Sequence, residues 1–299
     1  MLQKLSHHDF ESFYRLLSVS FPPEERRTKD GQRALLDSEP TYCIYGIKNE
    51  ADDRVDALMA VWDLTDALFL EHFAVDPLLR GQGLGSRMLA ELANGTQLPL
   101  CLEVEPPSTE IAKRRIEFYK RNGFFLNEFP YIQPSLAHGE PPIPLMLMTY
   151  GKAVNAEEFH RIYASLYRRV YRADPLPTDE FNRLTNMHCS AKRLFSANSK
   201  CERAQALVLQ TTGGVEYGAV IDQANPNAKS GEAALLQSLL THADTVVSHI
   251  LCVWETGVVD LPSMAFRQNL CKLNPKNRSA RIFVVTDKGV AAKEIMNNE

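Results

Sequence analysis

Apolar residues alternate with a period of two up to Val75 and recur at helical spacing after Gly85, so a strand passes here through a tight turn into a helix. Phe69, Glu71, Phe73 and Val75 are expected on one face of that strand, and Met88, Leu89 and Leu92 on the buried side of the helix. The helix closes at Asn94-Gly95. A second strand is predicted over residues 98–105, with Leu100, Leu102 and Val104 on one face and Cys101, Glu103 and Glu105 on the other. A helix carrying Arg114 to Asn122 follows and ends at Gly123. Residues 42–47 and 55–64 read as a hairpin, 145–148 as a late strand, and a helix opens near Ser6.

The turn between strand and helix holds the candidate chemistry. Its sequence is Arg80-Gly81-Gln82-Gly83-Leu84-Gly85-Ser86. Glycine lets the backbone bend sharply and approach a ligand, while the first amides of the helix point outward with no partner in the helix. Together with the helix dipole they suit a pyrophosphate. The Lys-Ser/Thr ending of a nucleotide triphosphatase loop is missing, and so is the dinucleotide fingerprint with its later acidic ribose ligand.

Arg80-x-x-Gly83-x-Gly85 resembles the coenzyme A signature of the GNAT family of N-acetyltransferases, Arg/Gln-x-x-Gly-x-Gly/Ala. The string Phe118-Tyr119-Lys120-Arg121-Asn122-Gly123-Phe124 resembles that family's second motif, and with the helix from Ser6, the 42–64 hairpin and the strand 145–148 the resemblance covers about the first 170 residues. The resemblance implies an α/β (α+β) fold with a mixed central sheet flanked by helices, and acetyl-CoA as cosubstrate. It implies Phe73, Val75, Arg80, Gly81, Gln82, Gly83, Leu84, Gly85 and Ser86 as the cofactor-binding residues, with the main-chain amides around Phe73 to Val75 holding the thioester oxygen. Tyr119 stands where the family places a phenol beside the coenzyme A sulfur.

Acetyl transfer to an amine also requires removal of a proton, because an alkylammonium of pKa about 10 is almost fully charged at neutral pH. Glu103 is the first candidate base, with Glu71 and Glu105 as rivals. Residues 127–144, with Tyr131, Gln133 and His138, are expected to form a loop walling the substrate site, opposite the acid-rich stretch Phe21 to Arg27, where Glu24 or Glu25 could meet a cation.

Size and charge narrow the classes. The chain has 299 residues, 44% hydrophobic and 23% charged, enough for about two domains. The formal net charge of −4 argues against a nucleic-acid partner. The acidic excess lies before Arg172, which favours a cationic acceptor. No apolar run approaches a membrane span, and a cytoplasmic location is the default expectation. Six cysteines with no Cys-x-x-Cys pair read as reduced thiols.

Ala173-Asp174-Pro175-Leu176-Pro177 breaks a helix predicted over 157–171, dividing the chain into domains 1–172 and 173–299. The second domain reads as helix 179–194, strands 204–210 and 216–222, a helix opening near Gly231, strand 246–254, helix 266–273 and strand 281–285. This order and two strings, Ser230-Gly231-Glu232 and Pro262-Ser263-Met264-Ala265-Phe266, resemble cytidine deaminases, implying an α/β/α architecture. Ser230, Ser263 and Phe266 stand where those enzymes carry zinc ligands, and neither hydroxyls nor a phenyl ring replace thiolate or imidazole. No metal is therefore expected, and the domain is read as a substrate-binding or oligomerising module. The alternative for the whole chain is an idle sensor of acetyl-CoA or of a nucleoside-like ligand.

Overall fold

Residues 55–63 are buried on both faces except at Asp63, as the middle strand of a sheet covered by helices must be. In the computed structural model every residue is described except 1, 50, 53, 137–140, 199–202, 225–229 and 297–299. The chain divides into two units, Met1–Asp174 and Pro175–Glu299.

The first unit runs β1 (Gln3–Lys4), α1 (Phe10–Ser20), α2 (Lys29–Ser38), β2 (Tyr42–Lys48), β3 (Val55–Asp63), β4 (Leu68–Val75), α3 (Leu84–Asn94), β5 (Leu100–Val104), α4 (Glu110–Arg121), β6 (Phe124–Asn127), β7 (Ile132–Gln133), β8 (Ile143–Pro144), β9 (Met146–Tyr150) and α5 (Ala156–Ser165). Its main sheet has the order β1-β2-β3-β4-β5-β9-β6, with β4 and β5 parallel and the other neighbours antiparallel. One core packs Met88, Leu89 and Leu92 of α3 and Ile116 and Tyr119 of α4 against Leu100, Leu102 and Val104 of β5.

Two irregularities in β4 shape the site. Ala60 pairs with His72 but Val61 pairs with Leu70, so Glu71 is an extra, bulged residue. The bulge changes the phase of the strand: Leu68, Leu70, Phe73 and Val75 pack with the α3/α4 core, while Phe69, fully buried, lies outside that cluster. The expectation that Phe69 shares a face with Phe73 and Val75 is corrected accordingly. The second irregularity is a divergence. Parallel pairing of β4 with β5 ends at Leu70 opposite Leu102, leaving Phe73 to Val75 beyond the ladder.

Three further expectations change. Residues 127–144 are not structureless, since β7 and β8 pair through Ile132 with Pro144 and Gln133 with Ile143. The late strand begins at Met146 and ends at Tyr150. The helix expected over 157–171 is α-helical only to Ser165; a π-helical turn, Leu166–Val170, carries it to Tyr171.

The second unit runs α6 (Thr178–Ala197), β10 (Ala204–Thr211), β11 (Glu216–Asp222), α7 (Ser230–Thr241), β12 (Val247–Trp254), β13 (Val259–Asp260), α8 (Met264–Leu273), β14 (Arg281–Thr286) and β15 (Gly289–Glu294). Its sheet has the order β11-β10-β12-β14-β15, with β13 added against β12. The strands β13 and β15 were not expected; β15 is a Gly-Val-Ala-Ala-Lys-Glu stretch with little β-branched character to announce it.

Candidate active site

The glycine turn adopts the conformation its composition requires. Gly81 and Gly83 have φ of 80° and 74°, a left-handed backbone disfavoured for residues with a Cβ, and Gly83 caps α3. Gly85 is needed for a different reason: a Cβ there would sit 3.2 Å from Phe73 Cζ and 3.3 Å from Phe118 Cζ. Its bare backbone lets the start of α3 close on these two rings. The Arg87 amide donates to the Gly83 carbonyl at 3.1 Å, and the three amides before it, at the positive end of α3, have no acceptor within the helix. Arg80 folds back across the turn, its Nε donating to the Val75 carbonyl at 3.1 Å.

The turn opens into a cavity of about 830 Å³. Phe73, Val75, Arg80, Gly81, Gly83, Leu84, Gly85 and Ser86 all line it, whereas Gln82 is exposed and does not. Glu71, Glu103, Glu105 and Tyr119 line the same space, together with Phe21, Glu25, His72 and Gln133. Donor groups for a diphosphate and a set of carboxylates thus share one cavity within the first unit. An open backbone cradle and a helix N-terminus fit the anionic portion of coenzyme A.

Glu103 projects from β5 between two phenols. Tyr131 donates to its Oε1, and Tyr171 donates to both carboxylate oxygens at 2.7 and 2.8 Å. Burial pushes the carboxyl up, the two phenols pull it down, and it comes to rest at about 7. The same burial, with the Glu103 charge beside them, raises both phenols well above their usual range, so they stay protonated donors.

Glu71 has a different environment. Its side chain is 4% exposed and Oε1 lies 2.7 Å from Nη1 of Arg27, itself stacked over Trp62 at 5.6 Å. Burial would raise its carboxyl, but Arg27, then His72, outweigh burial and hold it down at about 2. A carboxylate so held keeps its charge and is a weak base near neutrality. His72 completes the arrangement: Nδ1 is 3.5 Å from Glu71, Nε2 meets the Glu25 carbonyl oxygen at 2.8 Å, and Phe21 packs edge-on at 4.7 Å. The stretch Phe21 to Arg27 is therefore pinned to the bulge of β4 at two points, and Glu25 faces the cavity from it. Glu105 is paired with Arg115 at 2.8 Å.

Tyr119 is 8% exposed and packs between Phe118 and Phe124, and burial pushes its phenol up to about 12, so it is a neutral donor. Sequence reasoning missed Tyr171, Arg27 and His72. The polar pair Glu71-His72 inside an apolar strand is the one local signal that pointed to the last of these. His138 lies outside the described residues.

In the second unit, Glu232 accepts from the Ser263 amide at 2.8 Å and from its hydroxyl at 2.6 Å, and that hydroxyl accepts from the Phe266 amide at 3.0 Å. Glu232 and Ser263 together cap α8. Among the described residues no group of three or more His, Cys, Asp or Glu is placed to hold a metal ion. No helix among them is long and apolar enough to cross a membrane.

A family profile described as "Acetyltransferase (GNAT) domain" matches residues 40–125. The curated protein "Putative acetyltransferase YjbC" of Bacillus subtilis (strain 168) is 28% identical over 163 residues, which is 54% of this chain and 81% of that protein. The solved structure "Putative acetyltransferase from GNAT family from Bacteroides thetaiotaomicron" is 36% identical, with a TM-score of 0.52, over 57% of this chain and 98% of its own.

Proposed function

The chain belongs to the GNAT acetyltransferase family, and from that premise we propose that it transfers the acetyl group of acetyl-CoA to a primary amine of a small molecule. The observation that carries this reading is a single cavity joining the glycine turn to a carboxylate poised at about 7. Bound acetyl-CoA supplies an activated thioester. The amides of Leu84, Gly85 and Ser86, with Arg80, hold its diphosphate, and amides of the Phe73 to Val75 stretch hold the thioester oxygen.

Glu103 takes the proton from the acceptor ammonium, directly or through a water. A base near 7 is half ionised at neutral pH and strong enough to share in that transfer. Tyr131 and Tyr171 orient its carboxylate. Tyr119 donates to the sulfur as the thiolate leaves; a thiol of pKa about 8.5 leaves readily, so this help is modest. Glu71 is a positioning residue that fixes the wall carrying Glu25.

Release of free thiol from acetyl-CoA, measured over a panel of amines, tests the proposal. Turnover on an amine supports it. Calorimetry that detects no association of the folded protein with acetyl-CoA or coenzyme A overturns it.

The second unit is assigned, as part of the same proposal, to a deaminase-like module that binds substrate or assembles chains without chemistry of its own. Its strand order and the apposition of Glu232 with Ser263 support that assignment. Stoichiometric zinc found by elemental analysis of the purified protein would contradict it.

A further inference from the structure

Resting on the acetyl-transfer reading above, we propose that Tyr167 is a positioning residue, one side chain that places both of the phenols holding Glu103. Phe159, Tyr163, Tyr167 and Tyr171 recur every four residues, which sets them along one face of α5 and the turn that follows it. In a continuous α-helix, residues four apart drift by about 40° around the axis. The wider π-helical turn Leu166–Val170 takes up that drift, and Tyr171 reaches Glu103 from its end.

Apolar packing along this face would be served by phenylalanine. Tyr167 is fully buried, yet its hydroxyl is engaged with the main chain, donating to the Ile132 carbonyl at 2.5 Å. Successive carbonyls of a strand point to opposite sides. The Tyr131 carbonyl accepts from the Leu145 amide at 3.3 Å, so the Ile132 carbonyl points away from that neighbour and toward Tyr167. The bond therefore ties the turn to the segment that carries Tyr131. The backbone of the same residue governs Tyr171: the Tyr167 carbonyl accepts from the Ala173 amide at 2.9 Å, closing the chain around Tyr171 and Arg172. Arg172 has φ of 53°, a left-handed conformation that a residue with a Cβ keeps only where its surroundings enforce it.

The Tyr167 ring adds a second restraint. It stands edge-on to both phenols, its centroid 6.3 Å from that of Tyr131 and 6.2 Å from that of Tyr171. Those two hydroxyls favour the ionised form of Glu103, and a hydrogen bond weakens steeply once its angle is lost. Freeing Tyr167 from Ile132 loosens both donors at once and favours the protonated carboxyl.

Tyr167→Phe keeps the ring and removes the bond to Ile132. The Glu103 carboxyl is followed by carbon NMR titration of the glutamate-labelled full chain, its signal assigned from Glu103→Gln, a readout that needs neither substrate nor turnover. A rise of about half a pH unit or more is expected, and the acid limb of thiol release should move with it. In the Tyr131→Phe/Tyr171→Phe background the same substitution should produce no further rise, because no phenol remains to be placed. Should Tyr167→Phe not fold, Tyr167→Met, an adaptable filler of apolar space, takes its place with a rise at least as large. A carboxyl that stays where it was in the folded variant overturns the proposal, as does a rise of equal size in the background lacking both phenols. Failure to acetylate any amine sinks the transfer reading alone, and the NMR titration still decides the role of Tyr167.

Discussion

Removing the hydroxyl of Tyr171 should move the acid limb of the pH profile while sparing the binding of acetyl-CoA. In Tyr171→Phe the ring keeps its packing against Tyr167, 6.2 Å away between centroids, and the hydroxyl that donates to both oxygens of Glu103, and also interacts with Tyr131, is lost. A hydrogen bond to a charged group is worth about 1.5–3 kcal/mol, and 1.36 kcal/mol corresponds to about one pH unit. Tyr131 still donates to Glu103 and absorbs part of the loss, so the Glu103 carboxyl is expected to rise by about one unit from its value of about 7. The sign is fixed: the phenol stabilises the ionised form, so its removal favours the protonated one.

The proposed role of Glu103 as base requires its ionised form, so on that proposal the loss is largest on the acid side. At pH 7 the ionised fraction drops from about one half to about one tenth, a fall of about fivefold in kcat/KM, whereas above about pH 9 the two proteins converge. Initial rates of thiol release from pH 5.5 to about 9.5, at saturating acetyl-CoA, give the comparison. A uniform loss at every pH, with the acid limb where it was, would refute the idea that Tyr171 acts through Glu103.

Glu103→Gln is expected to lower kcat/KM by roughly 10²–10⁴ and to remove the limb near neutrality, with the acetyl-CoA dissociation constant nearly unchanged by calorimetry. Tyr119→Phe should lower kcat several-fold at most, again with affinity for acetyl-CoA retained. Gly85→Val places a side chain against Phe73 and Phe118, whose ring atoms already stand 3.2 and 3.3 Å from the first added carbon, and is expected to weaken acetyl-CoA binding by about tenfold or more. Arg27→Met strands Glu71 in the interior and should cost about 3–5 kcal/mol in urea unfolding at pH 7. Because Glu71 ionises at about 2 when folded against an ordinary 4.5, the pair's contribution is complete above the ordinary value and fades as pH falls toward 2. The gap between Arg27→Met and the unaltered protein should narrow over that acid range.

Local features of the first unit were legible in the sequence, and relations across it were not. The facing of β5 follows from simple alternation, because no irregularity interrupts it: Leu100, Leu102 and Val104 enter the core while Glu103 faces the cavity. The turn at Gly81 and Gly83 is likewise a matter of a few adjacent dihedrals. In β4 the same alternation misplaces Phe69, since a bulge adds a residue without leaving a gap in the apolar pattern. Tyr171 meets Glu103 across 68 positions and Arg27 meets Glu71 across 44, and no periodicity encodes such pairings. Tyr171 was further concealed because a π-helical turn, not the expected α-helix, sets its direction. The choice between Glu71 and Glu103 therefore could not be read from strand position; it depends on a guanidinium brought to one and phenols to the other.

Where β4 and β5 part after Leu70, one edge of the upper strand is no longer laddered. Backbone amides on that edge between Phe73 and Val75 have no strand paired beside them among the described residues to slow their isotope exchange, unlike the Asp76 amide, which donates to the Asp56 carbonyl at 2.8 Å on the opposite side. If the acyl donor binds as proposed, deuterium uptake by the peptide spanning this edge becomes an internal gauge of occupancy, rapid in the empty protein and suppressed once the wedge is filled, with no turnover required.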